Sequence, residues 1–221
     1  MKIVIQCAGD KRRDAGCLVA SNGKAVEFVA HPELAPAETN RTHARPDDIS
    51  DRGISWRQEL LTYNKSPNSN PLMLLPAYQL YKNDCYRGLV NRFGLDNVYV
   101  LSAGWGLIRS DFLTPYYDIT FNAQADDYKR RRTKDRYNDF DMLPNDTDEQ
   151  IVFLGSKDYR PLFYTLTDGV RGERIVLFKS KYAPQKHSNG TFRNFETADP
   201  RNTRKWHYEC AEALIDGNLS L

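Results

Sequence analysis

The stretch Val98-Tyr99-Val100-Leu101-Ser102-Ala103-Gly104-Trp105-Gly106-Leu107-Ile108-Arg109-Ser110-Asp111, running on to Pro115-Tyr116-Tyr117-Asp118, decides the fold class. Its first four residues form a short, β-branched apolar run, the character of a buried strand. The Ser-Ala-Gly-Trp-Gly that follows is expected to end that strand in a loop. Two glycines flanking a tryptophan would let backbone approach a ligand closely and leave a large flat ring available for stacking. Arg109, Asp111 and Asp118 add polar groups at once. In open α/β sheets ligands bind outside the carboxyl ends of strands, so this loop is the first place to look for chemistry.

Working outward, Lys2 to Cys7 reads as a first strand and Val26 to Val29 as a short edge strand. Gln150 to Leu154 and Arg174 to Phe178 read as two further strands. Helices are expected over Ser55 to Tyr63 with Ser55 as N-cap, Leu72 to Leu80, Cys85 to Phe93, and Asp126 to Tyr137. Two more are expected, one up to about Asp168 and one over Asn202 to Asp216. Gly94 is placed as a helix stop. Strands alternating with helices imply an α/β fold, a mixed or largely parallel sheet flanked by helices. The chain reads as a single domain, with loop insertions near 31–51 and 138–149.

The 221 residues are 40% hydrophobic with 13 tyrosines, enough for one core, and the net charge is only +2. The charge is unevenly spread. Residues 129–136 carry six basic groups against one acidic, and residues 171–205 carry nine against three. The four cysteines show no Cys-x-x-Cys spacing and the histidines are scattered, so neither zinc nor any other cofactor is expected. No apolar leader opens the sequence, and apolar runs fall well short of the roughly 18 residues of a membrane span. The expectation is a cytoplasmic protein with reduced thiols and no membrane partner.

Several motifs carry candidate chemistry. Cys7-Ala8-Gly9-Asp10-Lys11-Arg12-Arg13-Asp14 follows the first strand and suits phosphate contact through Lys11 and Arg12, or a plain solvated turn. Pro76 to Leu89 mixes aromatic and basic groups, and Tyr81 and Lys82 suit stacking and clamping of a base, or helix packing. Gly155-Ser156-Lys157-Asp158-Tyr159 follows another strand; Lys157 is a phosphate candidate and Ser156 a cap. Arg130, Arg131 and Arg132 in the first basic run, and Lys179, Lys181, Lys186 and His187 in the second, are candidates for nucleic-acid backbone contact. Ser102, Gly104, Trp105, Gly106, Arg109, Tyr116 and Tyr117 are candidates for substrate binding. Asp118 and Asp111 are the candidate catalytic carboxylates, with a capping or turn role as the alternative for each.

Four blocks of the sequence resemble the YaaA family of DNA-binding peroxide-stress proteins. They are the first-strand loop ending in Lys11, the block Tyr81-Lys82-Asn83-Asp84-Cys85-Tyr86-Arg87-Gly88-Leu89, Leu101-Ser102-x-x-x-Gly106-Leu107-x-Arg109 with Pro115-Tyr116, and Ser156-Lys157-Asp158-Tyr159. The pattern around Ser102 and Asp118 is also similar to small domains that accompany nucleic-acid base-modification systems. The first loop departs from the family, with Cys-Ala-Gly-Asp-Lys in place of Ser-Pro-Ala-Lys. The resemblance implies an α/β core and nucleic-acid contact. Together with the residues it gives the expectation of an enzyme acting on a nucleobase in DNA, a glycosylase excising a modified base such as a glycosylated pyrimidine, in a setting of anti-phage defence. In that expectation Trp105, Tyr116 or Tyr117 stacks the extruded base, Asp118 or Asp111 stabilises the sugar cation or orients water, and cations hold flanking phosphates. The alternatives are a non-enzymatic DNA-binding stress protein and a nucleotide phosphoribohydrolase.

Overall fold

A computed structural model describes residues 1–66, 69–179, 190–198, 205–219 and 221. The strands in chain order are β1 (Lys2–Gln6), β2 (Ala25–Val29), β3 (Arg41–Ala44), β4 (Leu75–Pro76), β5 (Val98–Ser102) and β6 (Gly106–Arg109), then β7 (Leu113–Thr114), β8 (Tyr117–Asp118), β9 (Phe140–Asp141), β10 (Ile151–Leu154), β11 (Arg174–Phe178) and β12 (Gly190–Asn194). The helices are α1 (Trp56–Tyr63), α2 (Ala77–Leu80), α3 (Cys85–Phe93), α4 (Arg160–Leu166) and α5 (Trp206–Ile215).

A seven-stranded sheet of order β12-β11-β10-β1-β5-β6-β9 forms the body of this α/β domain. β12, β11, β10, β1 and β5 are mutually parallel, and β6 turns back antiparallel on β5. Ile3, Val4 and Ile5 of β1 and all of β10 are buried, the continuous apolar run that a parallel strand covered on both faces needs. Each such side chain contributes roughly 1.5–3 kcal/mol on burial. Ser55 caps α1, its Oγ accepting from the Gln58 amide, and Gly94 ends α3 at φ +86°. α5 lies against α3 and β10, and Gly88 makes that approach possible, because a Cβ there would meet Ile215 Cδ1 at 2.8 Å.

Five local expectations are corrected. β2 is the centre of a parallel three-stranded sheet, β3-β2-β8, rather than an edge. Residues 31–51, expected as loop, supply β3, and residues 138–149 supply β9. Within Leu72 to Leu80 only Ala77–Leu80 is helical: Pro76 has no amide to donate and, with Leu75, pairs against β7. Asp126 to Tyr137 forms only a short 3₁₀ turn, Asp127–Lys129, because Arg131 is drawn into the core beyond it. Residues 202–204 of the expected last helix lie outside the described residues.

Candidate active site

Numbered along the chain, the five parallel strands run in the order 2-1-3-4-5, so the chain crosses from β1 to β5 in one direction and then returns past β1 to β10 in the other. A crevice opens at such a reversal, at the carboxyl ends of the strands. Three loops meet there, after β1, β5 and β10, and short polar contacts bind them together. Cys7 Sγ and the Tyr159 hydroxyl are 3.1 Å apart, the Ala103 amide donates to Cys7 Sγ at 3.4 Å, and the Ser156 amide donates to Gln6 Oε1 at 2.5 Å. Gln6 Nε2 lies 3.3 Å from Nε2 of His207, on α5.

Lys11 enters this crevice from the β1 loop. Its backbone is bridged to Tyr81, with Arg12 N donating to Leu80 O and Lys82 N to Asp10 O. The Lys11 side chain is 3% exposed, and its ammonium sits 4.1 Å from the centre of the Tyr117 ring and 6.0 Å from that of Tyr81. Beneath it the Ser102 hydroxyl donates to the Tyr117 hydroxyl at 2.8 Å, which lies 2.9 Å from the Tyr81 hydroxyl. Burial pulls the proton affinity of Lys11 down against the opposing fields of Cys7, Asp118 and Asp10. Burial likewise pushes the Tyr81 and Tyr117 hydroxyls well up, so both stay neutral hydrogen-bonding groups.

Asp118 follows Tyr117 on β8 and pairs with Lys129 Nζ at 3.1 Å, which also holds Asp126 at 3.0 Å. Partial burial alone would lower the Lys129 affinity for its proton; hydrogen bonds to Asp126 and Asp118 outweigh it and raise the net value. Tyr116 points away from the Tyr117 side into a cavity of about 370 Å³, lined also by Arg13, Cys17, Glu27 and Arg41. Burial raises the Tyr116 hydroxyl, Asp118 and Glu27 add to that, and Arg13 and Lys129 oppose it. Asp118 thus acts by its charge on both Lys11 and Tyr116.

The Ser-Ala-Gly-Trp-Gly loop is sealed by the protein itself. Trp105 is fully buried, edge-on to Phe28 at 5.0 Å and stacked at 6.4 Å on Phe140, so the ring expected to stack a ligand is core. The Gly104 and Trp105 amides donate to Ser102 Oγ at 3.2 and 3.0 Å. Arg131 donates to Ala103 O at 2.9 Å, and Arg57 to Gly104 O and Trp105 O at 3.0 and 2.9 Å. The glycines admit protein rather than ligand. A Cβ on Gly104 would meet Ile119 and Tyr117 side chains at 3.2 Å, and one on Gly106, at φ +88°, would meet the Phe140 backbone at 2.5 Å.

Other expected residues lie elsewhere. Arg109 is opposite Tyr99 at the far end of the β5–β6 hairpin, paired with Asp111 at 2.5 Å and 3.9 Å from Asp96, so neither Arg109 nor Asp111 reaches the crevice. Arg131 is not a surface cation but a buried partner of Asp139, at 2.6 Å. Arg12 pairs with Asp14 at 2.5 Å, Lys82 with Asp10 at 3.1 Å, Arg132 approaches Asp127 at 3.7 Å, and Lys179 donates to Thr197 at 2.8 Å. Arg130 bridges its backbone to Thr120, and Lys157 is exposed on the β10 loop. Lys181, Lys186 and His187 lie outside the described residues.

The reading of the sequence missed Cys7, Tyr159, Gln6, His207, Arg57 and Lys129. A polar Gln6 closing an otherwise apolar buried strand was the one signal available for that set. Glu27, Glu38 and His43 each bring a donor atom within 4.8 Å of the others, but Arg41 already pairs with Glu27 at 2.7 Å. Among the described residues no helix is long and apolar enough to cross a membrane. Comparison with protein families, with characterised proteins and with solved structures finds no match.

Proposed function

We propose that this chain is an enzyme acting on a nucleobase in DNA, a glycosylase that excises a modified base. The observation that carries the reading is Asp118: a carboxylate 23% exposed, held by Lys129, whose charge acts both on Lys11 and on Tyr116 of the cavity wall. Cleaving an N-glycosidic bond needs a carboxylate to stabilise the oxocarbenium-like sugar or orient water, a flat wall for the extruded base and cations for flanking phosphates. Asp118 supplies the first, Tyr116 the second, and the exposed Arg13, Lys82 and Lys157 stand in the surrounding loops for the third.

The test is incubation of the purified protein with natural, hydroxymethylated and glucosylated DNA. Released bases are identified by mass spectrometry, and abasic sites by alkaline cleavage. Free base with alkali-labile DNA is the expected result; intact DNA from every substrate, with binding confirmed in the same tubes, overturns the reading in favour of a DNA-binding protein without turnover. The cavity size favours one other reading. About 370 Å³ lies in the range of small-ligand pockets, and with Arg13, Arg41 and Tyr116 on its walls it suits a free mononucleotide. A phosphoribohydrolase would turn over mononucleotides and show little salt-dependent DNA binding, whereas phosphate contact predicts affinity falling steeply with salt.

A further inference from the structure

Among the described residues, Lys11, Lys82 and Lys129 stand near Asp10 and Asp118. Lys82 takes Asp10 at 3.1 Å and Lys129 takes Asp118 at 3.1 Å. Lys11, the most buried of the three, is left against the faces of Tyr117 and Tyr81 with no carboxylate at ion-pair distance among the described residues. A surface lysine that holds a phosphate stays solvated and charged. Lys11 is instead taken out of water with no carboxylate at ion-pair distance among the described residues, so its proton is easier to lose than that of a surface lysine. Its backbone is fixed on both sides through Arg12 N to Leu80 O and Lys82 N to Asp10 O, so the amine is aimed rather than free to sweep.

We propose that Lys11 is a nucleophile that forms an imine with C1′ of a deoxyribose that has lost its base, giving the protein a strand-cleaving lyase activity. The proposal rests on the base-excision reading above and adds a second reaction at the same site. The Lys11 nitrogen attacks the C1′ aldehyde of the open sugar, the carbonyl oxygen takes up two protons and leaves as water, and a protonated imine remains. A carboxylate, Asp118 in this proposal, removes a proton from C2′. The electron pair forms the C2′–C3′ double bond and expels the 3′ phosphate, cutting the strand. Water then hydrolyses the imine and returns the amine. No oxidant or reductant enters. The lowered proton affinity of Lys11 is in keeping with this role, since only the unprotonated amine attacks.

The test uses the full chain and an oligonucleotide carrying one abasic site, with borohydride added to reduce the imine to a stable amine. The expected result is a covalent protein–DNA adduct whose peptide map places it on Lys11. It should be lost in Lys11→Met and retained in Lys65→Gln, a change at an exposed lysine just past α1. No adduct, or an adduct mapped to any other lysine of the wild-type protein, overturns the proposal even if Lys11→Met fails to fold. Base release is scored in parallel on modified DNA. Release without an adduct overturns Lys11 as nucleophile and leaves the excision reading standing; an adduct without release supports Lys11 and removes that reading.

Discussion

The Lys11 ammonium rests 4.1 Å from the centre of the Tyr117 ring, and the Tyr117 hydroxyl is itself shared between Ser102 and Tyr81 at 2.8 and 2.9 Å. One aromatic side chain therefore lies under the lysine and ties the end of β5 to the residue that follows α2. Removing only its hydroxyl should separate these jobs. Tyr117→Phe keeps the ring but leaves the buried Ser102 and Tyr81 hydroxyls each short of a partner. The expected loss is about 1–3 kcal/mol in urea unfolding. The Lys11 environment should change little, so the borohydride adduct should persist in this variant.

Lys11 itself carries a pH signature. Its folded proton affinity is lowered from 10.5, so across the alkaline window below that value the unfolded chain binds more protons than the folded one. Stability contributed by this site must then rise with pH through the window and level off above it. Subtracting the Lys11→Met unfolding curve from wild type over the same pH range isolates the site from the titrating tyrosines. A flat difference would show that the amine is not desolvated.

Arg131 and Arg132 are adjacent in one basic run yet should behave oppositely. Arg131→Ala removes the guanidinium that carries Ala103 O and leaves Asp139 buried and unpaired, an expected loss of about 3–5 kcal/mol. Arg132 is partly exposed and 3.7 Å from Asp127, so Arg132→Ala should leave stability within about 0.5 kcal/mol. Thermal melts of the two variants side by side decide this.

That contrast marks how far the sequence could be read. The parallel core was legible because Ile3 to Ile5, Val98 to Leu101, Ile151 to Leu154 and Ile175 to Leu177 are apolar runs that only a doubly covered sheet accommodates. Ser55 and Gly94 were legible because capping chemistry is local. Of the candidate site, Lys11, Ser102, Tyr81 and Tyr117 come together, and Asp118 follows Tyr117 on β8 to pair with Lys129. Side-chain direction was not legible. Gly-Trp-Gly permits either an open ligand loop or a loop closed on its own core, and Arg57 and Arg131, from distant segments, close it. A buried arginine and a phosphate-binding arginine look alike in a run of four cations. Asp126 to Tyr137 likewise offered a helical composition that the inward pull of Arg131 overrides.

His207 gives a test at the acid end. Burial lowers its pKa from 6.5 to about 4, so it is held neutral in the fold while the unfolded chain protonates. Its contribution is intact above 6.5 and is lost as pH falls toward 4, by about 3 kcal/mol in all. Stability measured in urea at steps between those limits should drop in wild type more steeply than in His207→Gln. Equal slopes would mean the imidazole is solvated.

Asp118 and Asp111 allow the site itself to be located by substitution. Asp111 is 2.5 Å from Arg109 at the far end of the β5–β6 hairpin, so Asp111→Asn breaks an exposed pair and should leave base release and stability near wild type. Asp118→Asn keeps the shape of the side chain and a hydrogen-bonding oxygen for Lys129 while removing the negative charge. If Asp118 stabilises the sugar cation, base release should fall by about 10²–10³-fold, the scale seen when a preorganised charge-stabilising group is deleted. DNA affinity should hold or rise, since a negative charge beside the phosphate path is gone. Single-turnover rates and salt titrations on both variants separate the outcomes. Loss of activity in Asp111→Asn with none in Asp118→Asn would move the chemistry away from the crevice. Unchanged activity in both would leave the sugar cation to be stabilised without either carboxylate.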